Sequence, residues 1–410
     1  MTPQLLFYII IGILLSSFLF DKILDYINSK HFNDTIPEEL NDVYDATEYE
    51  KSQRYKKVTS KFSGISAGFS LVITLAFFYF DGFAYVDSWA RTITDNDILI
   101  ALLFFGSIML ASSLLGIPFS YYSTFVIEEN FGFNKTTKTT FFFDKIKSLV
   151  LMALIGGGLL ALIIWFYTFA GANFWLYAWA AVAIFSLLMN LFYARLVVPI
   201  FNKQTPLEEG TLRTKIQEYA TKVGFKLNNI FVINGSKRST KANAYFSGFG
   251  REKRITLYDT LINDLDDDEI VAVLAHEVGH YKKKHIIYNL TGSLLLTGLT
   301  FWLFSLFVGN PLLSEALGVS IPSFHIGLIA FGLLYSPISE ITSLFMNILS
   351  RKFEYQADDY AKNTYAREPL INALKKLSKS SLSNLTPHSF YVFMHYSHPT
   401  LLQRYKNLKR

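Results

Sequence analysis

Residues 273–285 read VLAHEVGHYKKKH, and His276, Glu277 and His280 within them spell H-E-x-x-H. On a helix the two histidines lie one turn apart and face the same way, so both imidazoles can hold one metal ion. Glu277 is one residue further round, placed to take a proton from water at that metal. The plain alternative is a surface helix that happens to carry two histidines. A hydrolytic site of this kind takes three protein ligands and leaves the fourth position to water. Nitrogen and carboxylate ligands around an open position favour zinc, one Zn2+ per chain. No histidine follows at metzincin spacing, so the third ligand is sought further along. In SRKFEYQADDYA, residues 350–361, Glu354 and Asp358 stand one helical turn apart. Glu354 could ligate the metal while Asp358 holds an imidazole by its other nitrogen; the pair also reads as a solvated acidic face. His285 lies five residues beyond His280. It points away from the ligand face if the helix continues, and reads as a polar residue at a membrane edge.

The elements that must position these residues are legible nearby. In DLDDDEIVAVLAHEVGH, Asp266 caps a helix, Glu269 completes a capping box, and the acids suit the positive end of the helix dipole. The H-E-x-x-H stretch therefore belongs on a helix. Upstream, NIFVING and RITLYDT read as short strands, and KANAYFSGFG between them as an edge-like strand. Thr205, Pro206 and Glu208 suggest a capped helix running to Gly224, a left-handed stop.

The rest of the chain asks for lipid. Of 410 residues, 51% are apolar and 17% charged, and the apolar ones are clumped. Segments near 4–20, 62–80, 98–118, 147–169, 173–195, 287–308 and 324–348 are each long enough to cross a bilayer, which takes about 20 residues of helix. The first lacks a basic start and a small-residue cleavage site, so it reads as an anchor rather than a signal peptide. Lysines and arginines crowd 21–61, 119–146, 196–286 and the tail, while the loops between the other spans hold only Arg91. That alternation predicts an outside N-terminus, seven spans and a cytosolic C-terminus. The absence of cysteine excludes disulfides, thiolate metal sites and a cysteine nucleophile. The net charge of +5 fits positive loops, and no aromatic-basic interleaving points to nucleic acid as a partner.

HEVGH, then SRKFEYQAD after two further spans, then MHYSHPTLLQR near the end, closely resemble the type 1 CaaX prenyl proteases. IEENFGFNKTT at 127–137 and KANAYFSG at 241–248 resemble the same family. The resemblance covers nearly the whole chain. It implies a mostly α integral membrane protein, with seven transmembrane helices around a water-filled chamber and a small α+β cytosolic zincin-like catalytic domain. The expected divisions are 1–195, five spans; 196–286, a catalytic segment; 287–348, spans six and seven; and 349–410, a second catalytic segment. The resemblance implies His276, His280 and Glu354 as zinc ligands and Glu277 as general base. Asp358 matches an acid beside the ligands, sometimes called a proton donor. His398 matches a histidine that stabilises the tetrahedral oxyanion. Asn243 and Arg404 match substrate-side residues, Asn243 on an edge strand that holds an extended peptide by its backbone. A cationic or N–H donor aimed at the developing oxyanion stabilises the transition state above the ground state, and an edge strand binds peptide without demanding a sequence. Glu340 and Asn347 in the seventh span, and Asn190 and Arg195 late in the fifth, fit such a chamber; ionisable residues at membrane depth face protein or water, so Glu340 reads either as lining it or as buried against a neighbouring helix.

The expected activity is a zinc endopeptidase acting on peptides or membrane-associated proteins, prenylated CaaX tails among them. Short loops and the lack of a retrieval signal favour a bacterial inner membrane with the site on the cytosolic side; in a eukaryote the membrane would be the endoplasmic reticulum. Two other readings stand beside this one: a quality-control protease of the heat-shock type, which would have fewer spans, and a non-catalytic transporter or scaffold that retains the motif.

Overall fold

The computed structural model describes residues 1–227, 229–247 and 254–410. Helix α1 (Pro3–Ser29) starts from a Thr2 cap, and α2 (Ala46–Tyr79) from a capping box between Asp45 and Glu48. After α3 (Gly82–Ile93), α4 (Asp97–Tyr122) runs on through a π-helical turn over 123–128. Helix α5 (Lys138–Leu151) leads through a second such turn into α6 (Gly157–Ala170). Gly171 then takes φ +54, a conformation that suits glycine, and the chain reverses into α7 (Phe174–Leu196).

Among the described residues six apolar helical runs are long enough to span a membrane, one of them 64 residues over Lys138–Phe201. At 1.5 Å per residue that run would be about three bilayer cores long. It breaks at Gly171, and α6 and α7 pack side by side. The seven crossings expected from hydropathy are therefore present, five of them before Gln204.

The short α8 (Val198–Phe201) leads to β1 (Gln204–Pro206), α9 (Thr211–Lys222), β2 (Asn229–Ile233), β3 (Ala244–Ser247), β4 (Arg254–Tyr258), α10 (Asp259–Asp264) and α11 (Asp267–Lys282). The sheet order is β1-β2-β4-β3, with β2 and β4 parallel and the outer strands antiparallel to their neighbours. Thr205 and Pro206 do not cap a helix. They pair with Val232 and Phe231, and α9 begins only at Thr211. An edge strand accepts Pro206 because its missing N–H leaves no central ladder bond unmade. Gly224 does stop α9, at φ +60. The described part of KANAYFSGFG, through Ser247, forms the edge strand expected of it, and its last three residues lie outside the described residues.

The chain returns to the membrane as α12 (His285–Phe307), α13 (Pro311–Ala316) and α14 (Phe324–Thr364), then closes with α15 (Arg367–Ser380), α16 (Ser389–His395) and α17 (Leu401–Lys409). Helix α14 does not end with its apolar stretch. It is one 41-residue helix that carries Glu354 and Asp358 on the extension of the seventh span. Helix α11 lies against α9, α14 and α15, and its Ile270, Val271, Ala272, Leu274, Ala275 and Val278 are all buried. Each large apolar side chain so buried contributes roughly 1.5–3 kcal/mol, which makes the H-E-x-x-H helix the centre of the core it shares with α9 and α15.

The spans close into a ring. Helix α1 touches α2 and α14, the end of α4 reaches α2, α4 packs on α6, α7 lies between α6 and α12, and α12 meets α14. The start of α14, about 45 Å from Glu354 along a straight helix, is tied to α3. There His325 Nε2 lies 2.7 Å from Asp87 Oδ1, and Arg91 donates to Asp87 at 2.9 Å and to Ser323 at 2.6 Å.

Candidate metal centre and active-site cleft

The packing of α11 on α14 brings the sequence-predicted ligands together. His276 Nε2 and His280 Nε2 are 3.1 Å apart. Glu354 places Oε2 3.4 Å from the first and Oε1 3.3 Å from the second. Among the described residues these three form the group of side chains able to share a metal ion, with ligand atoms all within 4.8 Å. Glu354 Oε2 is buried and has no hydrogen-bond partner. A buried carboxylate oxygen left this way is costly, and it faces two imidazole nitrogens. Two nitrogens and one carboxylate suit a divalent metal with an open position.

Gly279 lets the two helices meet. A Cβ there would lie 3.1 Å from both Cα and O of Ala357 on α14. A side chain inside the H-E-V-G-H stretch would therefore push Glu354 away from the histidines.

Each imidazole is held from behind. His276 Nδ1 lies 2.9 Å from Asp358 Oδ1, so the carboxylate holds the imidazole by its other nitrogen, as the spacing of Glu354 and Asp358 suggests. Asp358 is fully buried and takes a fork from Arg404, Nε at 2.9 Å and Nη2 at 2.5 Å. Arg404 Nη1 also lies 3.6 Å from Glu354 Oε2. Burial works against the charge on Asp358, but Arg404 and His276 outweigh it and hold the carboxyl below its ordinary range. Burial likewise opposes the charge of Glu354, and the facing imidazoles of His276 and His280 hold its pKa far down. For His276, burial and Arg404 disfavour a proton, yet the Asp358 and Glu354 carboxylates raise its pKa to about 9.

His280 has a partner that the sequence reading missed. His285 Nδ1 lies 3.0 Å from His280 Nδ1, and its Nε2 is 2.8 Å from Gln356 Oε1. The ring is buried and stacks on Phe353 at 4.1 Å. His285 does not join the ligand group, as expected, and it does stand at the start of the sixth span, but it is buried against His280 rather than pointing away from it. Helical spacing misplaced it because α11 ends at Lys282 and Lys284 takes a left-handed φ of +60. The chain restarts there in a new direction and turns His285 back toward His280.

A cleft of about 500 Å3 opens on the cluster, lined by Glu277, His280, His398, Asn243 and Leu374 among others. His398 is 63% exposed and places Nε2 3.3 Å from Glu354 Oε1. Asn243 stands just before β3, at the rim, and its Oδ1 accepts from the Ala244 N–H at 2.8 Å. Strand β3 is the sheet's outer strand and, among the described residues, pairs only with β4. Arg404 borders the cleft too, though its guanidinium is spent on Asp358.

The stretch IEENFGFNKTT braces this rim. Glu128 accepts from Tyr55 and from Lys241 Nζ at 2.8 Å, and the Lys135 N–H donates to Arg238 C=O at 3.0 Å. These bonds anchor the segment that leads into Asn243 and β3.

Residues 206–410 match peptidase family M48, and residues 25–203 match its partner region, described as CAAX prenyl protease N-terminal, five membrane helices. The chain belongs to peptidase family M48. Two relatives match over more than nine-tenths of each chain. A CAAX prenyl protease 1 homolog of Arabidopsis thaliana is 36% identical, over 96% of this chain and 95% of its own. The CAAX prenyl protease 1 of Saccharomyces cerevisiae is 36% identical, over 97% and 93%. The crystal structure of S. mikatae Ste24p superposes with a TM-score of 0.94 at 35% identity, covering 99% of each chain. This M48 chain is thus a multi-span membrane peptidase whose five N-terminal crossings agree with the matched description. The metal that such a peptidase uses has a matching donor set in His276, His280 and Glu354.

Proposed function

We propose that this M48 peptidase is a zinc-dependent endopeptidase that processes CaaX-type C-terminal tails, prenylated ones included. The observation that carries the reading is the buried His276–His280–Glu354 cluster, with one carboxylate oxygen that makes no hydrogen bond, opening beside Glu277 and a strand edge that no other described strand pairs with. The CAAX prenyl protease names of relatives matched over nine-tenths of the chain favour this over the heat-shock type.

In this reading His276, His280 and Glu354 hold the zinc, which when bound supplies a Lewis acid for the carbonyl and lowers the pKa of water. Glu277 takes the proton from the attacking water and returns it to the departing amine. The substrate lies extended along the open edge of β3, with Asn243 at its head. His398, exposed at the mouth of the cleft, donates to the developing oxyanion. Asp358, which the resemblance offers as a proton donor, has its carboxylate engaged by Arg404 and His276, and we assign it to holding His276. Arg404 fixes Asp358 and supplies positive charge behind the site.

The catalytic segments, 196–286 and 349–410, face the cytosol, because they and the other basic loops share one side of the membrane. Short loops favour a bacterial inner membrane. The closed ring of spans is read as the wall of a water-filled chamber, and exposed Glu340 on α14 as facing it.

The test compares purified wild type with Glu277→Ala on a farnesylated CaaX peptide and on the same peptide without lipid, with metal content measured in parallel. Wild type should carry one zinc and cut. The variant should carry zinc and lose about 10²–10⁴ of the rate. Equal cutting by both proteins would remove Glu277 from the reaction. Cleavage of neither peptide by zinc-loaded wild type would overturn the CaaX assignment.

A further inference from the structure

A second cavity lies away from the metal cluster, at the seam between the two matched regions. It encloses about 630 Å3 where α5, α7 and α8 meet the sheet. Five cationic side chains line it: Lys147, Arg195, Lys203, Lys237 and Arg254. Among the described residues no carboxylate does. Asp144 lies 3.9 Å from Lys147 and is also held by Arg238, Nε at 2.7 Å and Nη2 at 3.0 Å. Lys203, Lys237 and Arg254 together give the cavity a positive field that favours an anion within it.

The floor of the cavity is built. The Arg254 guanidinium stacks on Phe231 at 3.5 Å from the ring centroid. Only its Nη2 finds an acceptor among the described residues, Gln204 Oε1. Arg254 Nε, Gln204 Nε2 and Asn234 Oδ1 are buried polar atoms without a partner, and all three residues line this cavity. A guanidinium fixed against an aromatic face, with N–H groups unspent, is preorganised for a phosphate. Burial and the neighbouring Arg195 push the Arg254 pKa below its ordinary value, as crowded cations require.

Position narrows the source of the anion. The cavity adjoins the end of α7, the last span before the sheet, and its rim includes Pro199 and Ile200, both exposed apolar residues of α8. Lys147 Nζ donates to Ile200 C=O at 2.9 Å, which holds α8 against the end of α5. An apolar rim beside a cationic pocket matches a ligand with a charged head and hydrocarbon tails.

We propose that this cavity binds the phosphate of an anionic phospholipid from the adjoining leaflet, with Arg254 and Gln204 at the floor and Lys203 and Lys237 closing over the headgroup. Such a lipid would pin α7 and α8 to the sheet that carries the substrate edge.

The test uses the full chain in zwitterionic detergent at physiological salt, titrated with phosphatidylglycerol and read by native mass spectrometry. Wild type should retain about one lipid per chain. Lys203→Gln with Lys237→Gln should weaken retention by about thirtyfold, the effect of two cations at an anionic surface. Arg254→Gln should weaken it as well. Lys51→Gln with Lys138→Gln removes the same charge from exposed positions outside the cavity and should change retention less than threefold. Equal losses in the two double variants would overturn the site and leave general surface attraction. Saturation by inorganic phosphate alone, lost in the cavity variants, would uphold the phosphate pocket and overturn its lipid assignment. Phosphatidylcholine retained as tightly as phosphatidylglycerol would overturn the anion selectivity.

Discussion

Gly279→Ala is the substitution most informative about how the site is assembled. Helix propensity alone predicts a gain of about 1 kcal/mol, because alanine is the better helix former. The structure predicts the opposite. The new Cβ would stand 3.1 Å from Ala357 Cα, Ala357 O and Tyr360 Cβ, where ordinary contacts begin at 3.4 Å. Two of those atoms are backbone of a 41-residue helix anchored in the ring, so no rotamer change relieves the contact. Helices α11 and α14 must separate by a few tenths of an ångström. Overpacking of this kind costs about 1–3 kcal/mol, so the net change is a destabilisation of up to about 2 kcal/mol. The larger effect falls on the metal. His276 and His280 ride on one helix and Glu354 on the other, and metal–ligand distances tolerate only about ±0.2 Å. Metal affinity should drop about 10–100-fold, comparable to the loss of an outer-shell partner, with a small change in melting temperature. The assay is competition with a graded series of chelators, with peptide cleavage followed at saturating metal. Because the obstacle is backbone, adding Ala357→Gly should restore nothing. Full affinity in Gly279→Ala, or rescue by the second change, would refute the reasoning.

Other perturbations separate the roles of neighbouring side chains. His285→Ala should lower metal affinity about 10–100-fold by freeing the His280 ring, with Gln356→Ala acting in the same direction and less strongly; chelator competition reads both. Asp358→Asn leaves the Arg404 fork buried against a neutral amide and should destabilise by roughly 3–5 kcal/mol, seen as a lowered melting temperature, with metal affinity reduced as His276 loosens. At the far end of the ring, Asp87→Ala strips His325 and Arg91 of their shared partner and should cost about 3 kcal/mol without changing metal content. Burial opposes the Asp87 charge, but hydrogen bonds from His325 and Arg91 outweigh it and lower its pKa. A depressed folded pKa means that this stabilisation is complete above the unfolded value near 3.9 and fades as pH falls through the lower folded value. Wild type should therefore lose the Asp87 contribution only in acid, and the melting temperatures of wild type and Asp87→Ala should converge there.

Much of this was legible in the chain because local chemistry repeats at short range. Hydropathy found every crossing, since a bilayer core demands about 20 apolar residues wherever it is crossed. The Asp266–Glu269 box marked the start of the H-E-x-x-H helix, and the structure contains that box. The spacing of Glu354 and Asp358 also suggested two carboxylates turned toward the imidazoles, and both lie against His276. Signals failed where partners came from elsewhere in the chain. Thr205 and Pro206 carry helix-start chemistry, but pairing with β2 overrode it.

What the sequence by itself determined was the set of parts: seven lipid-seeking helices, a helix with two imidazoles on one face, and acids at helical spacing further along. Tertiary structure alone decided how they meet. Nothing local foretells that Lys284 turns left-handed and swings His285 behind His280, that Gly279 gives Ala357 room to approach, or that Arg404 reaches back to lock Asp358. Helical periodicity describes one element at a time. A metal site and its outer shell are built between elements, so their geometry comes from the packing of α11 on α14.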